Sequence, residues 1–335
     1  MSKVLVSGGC GFIGSHLVRR LLREHPELHV VNIDLLTYAG RPENVADLAD
    51  DPRYSFVHGD ISNADDVARA GAGCTGIINV AAESHVDRSI MGGDEFITTN
   101  VFGTKRLLDF ARQHELRYLQ VSTDEVYGDV DAPHRSQEGD PLHGSSPYAA
   151  SKAAGDLLVQ SYARTFGLNA SITRGSNTYG PYQFPEKLIP LFTTNAFDGK
   201  DLPLYGDGMQ VREMLFVEDH CSAIDLVFHA GEAGEAYNVG AEHEVPNIQT
   251  ARRIIELTGA DPASLKSVAD RPGHDRRYAL DCSKLRALGW ERHTDFDTGL
   301  ALTVEWFRAN RPWWEAIKSG EAFADYAAKN YGSRS

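Results

Sequence analysis

Residues 121–128 read Val-Ser-Thr-Asp-Glu-Val-Tyr-Gly, and within them Asp124 and Glu125 are adjacent carboxylates. One acid kept protonated beside one left ionised can donate and accept a proton within a single elimination. Tyr148 and Lys152 follow in Tyr-Ala-Ala-Ser-Lys, a spacing that puts both on one face of a helix. A tyrosine titrates near pH 10, so to act as a base near neutrality its pKa must fall by about 3 units, roughly 4 kcal/mol. A fixed ammonium on Lys152 and a cationic nicotinamide ring supply fields of the required sign. Upstream, Gly8, Gly11 and Gly14 stand in Gly-Gly-Cys-Gly-Phe-Ile-Gly, the pattern of a dinucleotide-binding turn. A nicotinamide site accounts for oxidation and reduction; the extra acid and base point to a second step, loss of water.

Each of these features also has a plainer reading. A Tyr/Lys pair at this spacing is common on helix surfaces, and a glycine pattern can be an ordinary tight turn. Thr and Asp favour turns and helix caps, so residues 123–125 can be one. Consecutive residues of a strand face opposite ways, so Asp124 and Glu125 share a site only where the chain has left the strand. The carboxyl end of a sheet strand meets that condition, and ligands bind there in open α/β sheets. Asp34 ends the second strand beyond Gly14, where an acid binds ribose hydroxyls and repels a 2′-phosphate, favouring NAD over NADP. Its alternative is a turn or cap. Asp60, after the third strand, reads as an adenine-side contact or as a turn residue.

The elements that must position these groups are legible as alternating patterns. Strands are expected at 4–6, 30–33, 54–57, 76–79, 118–121 and 170–173, with helices at 12–22, 63–70, 95–114 and 146–166. Continuous apolar strands in repeated βα units call for a parallel sheet covered on both faces, a doubly wound Rossmann α/β fold. Beyond residue 175 the chain turns rich in Gly, Pro and aromatics, with one helix near 186–198. Strands at 211–217 and 236–239 then flank a helix starting near Glu218, and the chain from 245 onward reads as mainly helical. The expected division is a dinucleotide-binding domain over 1–176 and 213–242, with a smaller, mainly helical α/β substrate lobe over 177–212 and 243–335.

Composition narrows the function. The 335 residues are 42% hydrophobic and 24% charged, ordinary for a soluble globular protein. A net charge of −14 argues against nucleic acid as a partner, though a few placed arginines can still hold a phosphate. No apolar run approaches the roughly 18 residues of a membrane span, and the opening strand leaves no room for a signal peptide, so a cytoplasmic protein is expected. Cys10, Cys74, Cys221 and Cys282 are isolated and read as reduced packing residues. The histidines form no metal-binding spacing, and no metal is expected.

Taken together, the glycine loop, the Tyr/Lys pair and Val121-Ser122-Thr123 resemble the extended short-chain dehydrogenase/reductase superfamily. Residues 81–89 (Ala-Ala-Glu-Ser-His-Val-Asp-Arg-Ser), Thr123-Asp124-Glu125, Ser-Asn-Thr-Tyr-Gly-Pro at 176–181, Phe-Pro-Glu-Lys-Leu-Ile-Pro at 184–190 and Arg-Pro-Gly-His-Asp-Arg-Arg-Tyr at 271–278 narrow the resemblance. They are similar to the dTDP-glucose 4,6-dehydratase family along almost the whole chain. That resemblance implies oxidation of a nucleoside-diphosphate hexose, dTDP-glucose, at C4 with NAD, water loss across C5–C6, and hydride return to C6. It implies that Tyr148, supported by Lys152, deprotonates the 4-hydroxyl, with Thr123 bonding the 4-oxygen, Glu125 as base and Asp124 as acid. Gly8, Gly11, Phe12, Ile13, Gly14, Asp34, Asp60, Ile61, Ala81, Ala82, Thr99 and Thr178 become cofactor contacts, beside Tyr148 and Lys152. Ser84, Thr123, Asn177, Lys187, Leu188, Pro203, Tyr205, Arg212, Asn247, Arg271, His274 and Tyr331 become substrate contacts, the two arginines holding the diphosphate.

Some of these carry-overs leave alternatives open. Tyr205 can stack on the base or belong to the core, and Thr99 can be a helix N-cap instead. The resemblance also implies a homodimer through the helices at 95–114 and 146–166, and a deoxysugar pathway. Thr178 replaces a usual Asn near the nicotinamide, Gly175 replaces a usual Cys, and Glu213-Met-Leu-Phe216 replaces an acid-Trp pair. The rivals are a sugar-nucleotide 4-epimerase, which needs no acid/base pair after Thr123, and a cofactor-sensing regulator without catalysis.

Overall fold

The computed structural model describes residues 2–270, 273–321 and 323. Six aliphatic runs form β1 (Ser2–Ser7), β2 (Leu28–Asp34), β3 (Tyr54–His58), β4 (Gly76–Asn79), β5 (Arg117–Thr123) and β6 (Ala170–Gly175). Three short strands follow, β7 (Asn177–Tyr179), β8 (Leu202–Tyr205) and β9 (Val211–Phe216), before β10 (Ala236–Val239) returns to the first set. The seven strands lie in the order β10-β6-β5-β4-β1-β2-β3, every pair parallel. This is the doubly wound α/β fold. The strand order reverses between β1 and β4, so the carboxyl ends there open a crevice.

Alternation along β1 shows why both faces must be covered. Val4 and Val6 pack with Leu17, Leu21 and Val227 on one face, while Leu5 packs with Ile77, Leu107 and Val159 on the other. The first face is covered by α1 (Phe12–Glu24) and by a helix that follows β9. The second is covered by α2 (Ala64–Gly71) and by two longer helical segments after β4 and β5. After β4 come α3 (Val86–Met91), α4 (Asp94–Ile97), one wider π-helical stretch over 98–103, and α5 (Thr104–Gln113). The helix expected at 95–114 is therefore present but locally unwound from the regular 3.6-residue turn. Gly103 sits in that stretch because a Cβ there would lie 2.6 Å from Ile61. Helix α6 (Pro147–Phe166) follows β5.

The second lobe contains more strand than its composition suggests. Beyond β7, β8 and β9, its elements are α7 (Leu188–Phe197), β11 (Glu244–Pro246), α9 (Asn247–Thr258), β12 (Leu265–Val268), α10 (Ser283–Ala287), α11 (Phe296–Ala309) and α12 (Arg311–Lys318), while α8 (Val217–Ala230) lies on the large sheet. Strand β9 pairs with β7 and β11, and β8 pairs with β12. The mainly helical expectation from 245 onward misses β11 and β12. With three or four residues each, such strands have no room to display a period of two. A separate core of Phe192, Leu202, Phe216, Ile254 and Leu300 holds this lobe together.

Candidate active site

Two clefts meet at Gln183, Glu186 and Lys187, which line both. The first, about 1120 Å³, begins at the turn after β1. Gly8 adopts φ +74°, and a Cβ there would lie 2.8 Å from the Ala81 backbone. A Cβ on Gly14 would run into the Gly8 carbonyl, so the turn and α1 pack backbone against backbone. No side chain caps the first turn of α1 and no acid stands in it, leaving its amides to an anion. Asp34 accepts from the amides of Cys10 (2.9 Å) and Leu36 (2.8 Å), and burial raises its pKa. It is thus both a turn residue and a cleft residue. Asp60 likewise accepts from Ser62 N (2.7 Å) while lining the cleft.

Gly11, Phe12, Ile13, Ile61, Ala81, Ala82 and Thr99 line this cleft as well. Thr99 lies inside a helical run that starts at Asp94, which removes its N-cap reading. Ser84, expected on the substrate side, faces the dinucleotide cleft, and Thr178, expected on the cofactor side, lines the other one. Both adjoin the junction, where Lys187 donates to Ser84 O (2.9 Å) and Gln183 donates to Thr178 O (2.8 Å). These glycines, the uncapped helix end and the ribose-side carboxylate fit NAD.

The second cleft, about 1020 Å³, is lined by Asn177, Lys187, Leu188, Pro203, Tyr205, Arg212, Asn247 and His274. Arg212 is buried and held by the carbonyls of Val211 (2.8 Å) and Asp275 (2.9 Å), with its guanidinium 4.2 Å from the centre of the Tyr278 ring. Its position is set in advance of any ligand. Tyr205 donates to Asp87 (3.2 Å) and meets His274 edge to face, so it is a cleft residue rather than core. Arg271 and Tyr331 lie outside the described residues.

Strand β5 ends at Thr123, and residues 124–127 form a single 3₁₀ turn whose N-cap is the Thr123 hydroxyl, accepting from Glu125 N at 3.3 Å. The cap reading and the shared-site reading of this segment therefore coexist. Asp124 turns inward, 2% exposed, with Oδ1 accepting from Thr123 Oγ1 (3.2 Å) and Oδ2 without a partner. Burial and then the Glu125 charge raise its pKa well above the usual carboxylate range, against the pull of Arg212. Glu125 faces the second cleft.

Tyr148 enters in the first turn of α6, capped by Ser146, and Lys152 lies one turn on, donating to Val121 O (2.7 Å). Burial lowers the Lys152 pKa to about 8, with Asp156 opposing. The Tyr148 pKa moves opposite to the sequence expectation. Burial and then the charge of Glu125 raise it, while Lys152 gives one of its three N–H donors to Val121 O. In the protein alone this tyrosine is held as the neutral phenol.

Sequence reasoning missed several residues of these clefts. Glu186 is buried, accepts from Tyr38 (3.0 Å) and Arg88 (3.1 Å), and has its pKa raised by burial. Its signal was its place beside Lys187 in an already recognised motif. Gln183 and Tyr278 stand on irregular segments, where no periodicity could have singled them out. The described residues do include one set that brings metal-ligating atoms within 4.8 Å, His25, Asp225 and His229. It lies at the far end of α1 from the glycine loop, and Arg20 already donates to Asp225 there (3.0 Å).

A parallel sheet opening on a glycine turn, with a Tyr/Lys helix at its carboxyl edge, defines an extended short-chain dehydrogenase/reductase. The GDP-mannose 4,6 dehydratase family model matches residues 5–303. The chain is 48% identical to dTDP-glucose 4,6-dehydratase of Streptomyces niveus, over 95% of this chain and 96% of that one. It is 45% identical to dTDP-glucose 4,6-dehydratase 1 of Escherichia coli over 99% of both chains. Among solved structures it resembles DesIV, a dTDP-glucose 4,6-dehydratase of Streptomyces venezuelae determined with NAD bound, at TM-score 0.92 and 51% identity, covering 94% of this chain and 100% of that one. A Thermus thermophilus UDP-glucose 4-epimerase in complex with NAD superposes with TM-score 0.85 at 32% identity, covering 92% of this chain and 99% of the epimerase. The chain belongs to the dTDP-glucose 4,6-dehydratase family.

Proposed function

We propose that the chain converts dTDP-glucose to dTDP-4-keto-6-deoxyglucose with NAD, within deoxysugar biosynthesis. The observation that carries this over a 4-epimerase is the turn at 124–127, which sinks Asp124 into a protonating environment and leaves Glu125 facing the cleft. NAD, held by the glycine turn and Asp34, would supply a hydride acceptor for sugar C4 and a hydride donor for C6. Tyr148 removes the 4-hydroxyl proton and Lys152 supports it, while Thr123 bonds the 4-oxygen. The resulting ketone acidifies C5–H, which Glu125 removes. Asp124, kept neutral by burial, protonates the departing 6-hydroxyl, so that water leaves. Arg212 grips the diphosphate, and Lys187, Asn247 and Tyr205 border the sugar and base.

Supply of dTDP-glucose deuterated at C4, in ordinary water, tests this reading. Recovery of the label at C6 of a 4-keto-6-deoxy product is expected. Label lost to solvent, or a galactose product, would overturn it.

The same proposal includes a homodimer. The helical run 94–113 and α6 leave Ile97, Phe102, Leu157 and Phe166 about half exposed, an apolar set that a second copy would cover. A sedimenting monomer at micromolar concentration would count against it. No described helix is long and apolar enough to cross a membrane, and we place the protein in the cytoplasm, with fractionation as the check. The division into a dinucleotide domain (1–176 and 213–242) and a substrate lobe (177–212 and 243–335) belongs to this reading too. It is supported in part by a second hydrophobic core, which also takes in Met214 and Phe216 of the 213–242 stretch.

A further inference from the structure

Gly175 and Thr178 touch the same side chain. The imidazole of His220, on α8, fills the room over Gly175, where a Cβ would lie 2.5 Å from Cε1 and 2.6 Å from Nε2. Its Nδ1 lies 2.7 Å from Thr178 Oγ1, which itself lies 3.1 Å from the Ser176 carbonyl oxygen. His220 is 2% exposed, burial lowers its pKa to about 4, and Nε2 has no partner. A neutral ring has one proton to place. On Nε2 it would be a buried donor without an acceptor, which native structures avoid more strictly than a bare acceptor. On Nδ1 it is donated to Thr178, whose own proton then goes to Ser176. Thr178 is left with a lone pair and no hydrogen to offer. Beside it, Gln183 donates Nε2 to Thr178 O (2.8 Å), which fixes its amide and leaves Oε1 as a second unpartnered acceptor. Gln183 lines both clefts and Thr178 the second, so these acceptors stand at the junction.

We propose that His220 is a positioning residue that fixes Thr178 as a hydrogen-bond acceptor for the carboxamide N–H of the nicotinamide. The inference rests on the NAD-dependent reading above, since the nicotinamide must reach the junction to exchange hydride with a sugar in the second cleft. Its test is binding of NADH and of the 3-acetylpyridine analogue, in which a methyl group replaces the amide nitrogen, measured by fluorescence titration. The protein should prefer NADH by about three- to tenfold, the worth of one such hydrogen bond. Thr178→Val and His220→Leu should each bring the ratio close to one, and the double variant should do no more than either. Gly175→Ala, which displaces the ring, should act likewise. His220→Asn, whose amide N–H stands where Nδ1–H does, should keep the preference.

An unchanged ratio in His220→Leu overturns the proposal. So does equal damage from His220→Asn, which would mean that bulk alone matters. A raised KM for dTDP-glucose with the cofactor ratio intact also overturns it, because the acceptor would then serve a sugar hydroxyl. The titration needs no turnover, so a wild-type protein that fails to dehydrate dTDP-glucose would overturn the proposed function and leave this result standing.

Discussion

The two clefts are built on different principles. The dinucleotide cleft is made largely of backbone: a left-handed glycine, an uncapped helix end and amides turned toward Asp34. Most of its contacts come from the turns after consecutive strands of one sheet. The second cleft is made of side chains drawn from segments far apart in the chain, such as Glu125, Arg212, Asn247 and His274. Its charges are set by burial and by one another rather than by local conformation. A site of backbone tolerates few substitutions because it has no slack. A site of buried charges stores its function in pKa values, and can lose that function without losing shape.

Four expected outcomes separate these principles, in falling order of effect. Glu125→Gln should lower dehydration by about 10² to 10⁴, the worth of one general base. NADH should then build up on the enzyme, visible by absorbance, because hydride transfer precedes the step that fails. Dehydration at the wild-type rate would remove Glu125 as the base. Gly14→Ala should weaken NAD binding by about 100-fold, a clash of roughly 3 kcal/mol carried into affinity. If calorimetry finds NAD affinity unchanged, the backbone account of the first cleft is wrong.

The smaller effects concern pH. Lys152 has its proton held until about pH 8 when folded, against 10.5 for the free side chain. Activity that needs the ammonium should therefore fall as pH rises through about 8. Between pH 8 and 10.5 the unfolded chain holds a proton at Lys152 that the folded chain does not, so the contribution of this group to stability rises with pH across that window. Lys152→Met should remove one proton's worth of slope from denaturation curves taken at several pH values, leaving the equal contribution of Lys318. Asp124 has the opposite sign. Its raised pKa means that its contribution to stability is full below the unfolded value of 3.8 and is lost progressively as pH rises from there through the folded value. Asp124→Asn should lose dehydration yet melt about 2 °C higher at alkaline pH. A lower melting temperature would show that burial of this acid carries no such cost.

How much was legible in advance follows the same divide. Asp34, Asp60 and the three glycines were readable because their roles depend on position after a strand, and the preceding strands β1, β2 and β3 are marked by short β-branched or aromatic runs. Thr99 was readable as a cleft residue only through resemblance, since its helix begins six residues earlier than a cap reading needs. Strands β7, β8, β11 and β12 were not legible: each is too short for alternation, and their pairing across the second lobe is a tertiary fact. Glu186 and Gln183 escaped for a related reason. They lie on an irregular segment that acquires meaning only where two clefts converge.

The amino-acid sequence alone determined the parallel sheet, the dinucleotide turn and the presence of a tyrosine, a lysine and two acids close to strand ends. Periodicity, glycine placement and i,i+4 spacing are local, and local rules suffice for them. Which acid is buried and which faces the ligand, why Tyr148 stays a phenol, and what Thr178 offers at the junction were decided by tertiary structure. Those properties depend on desolvation and on partners such as Arg212, Val121 O and His220, which packing alone brings together.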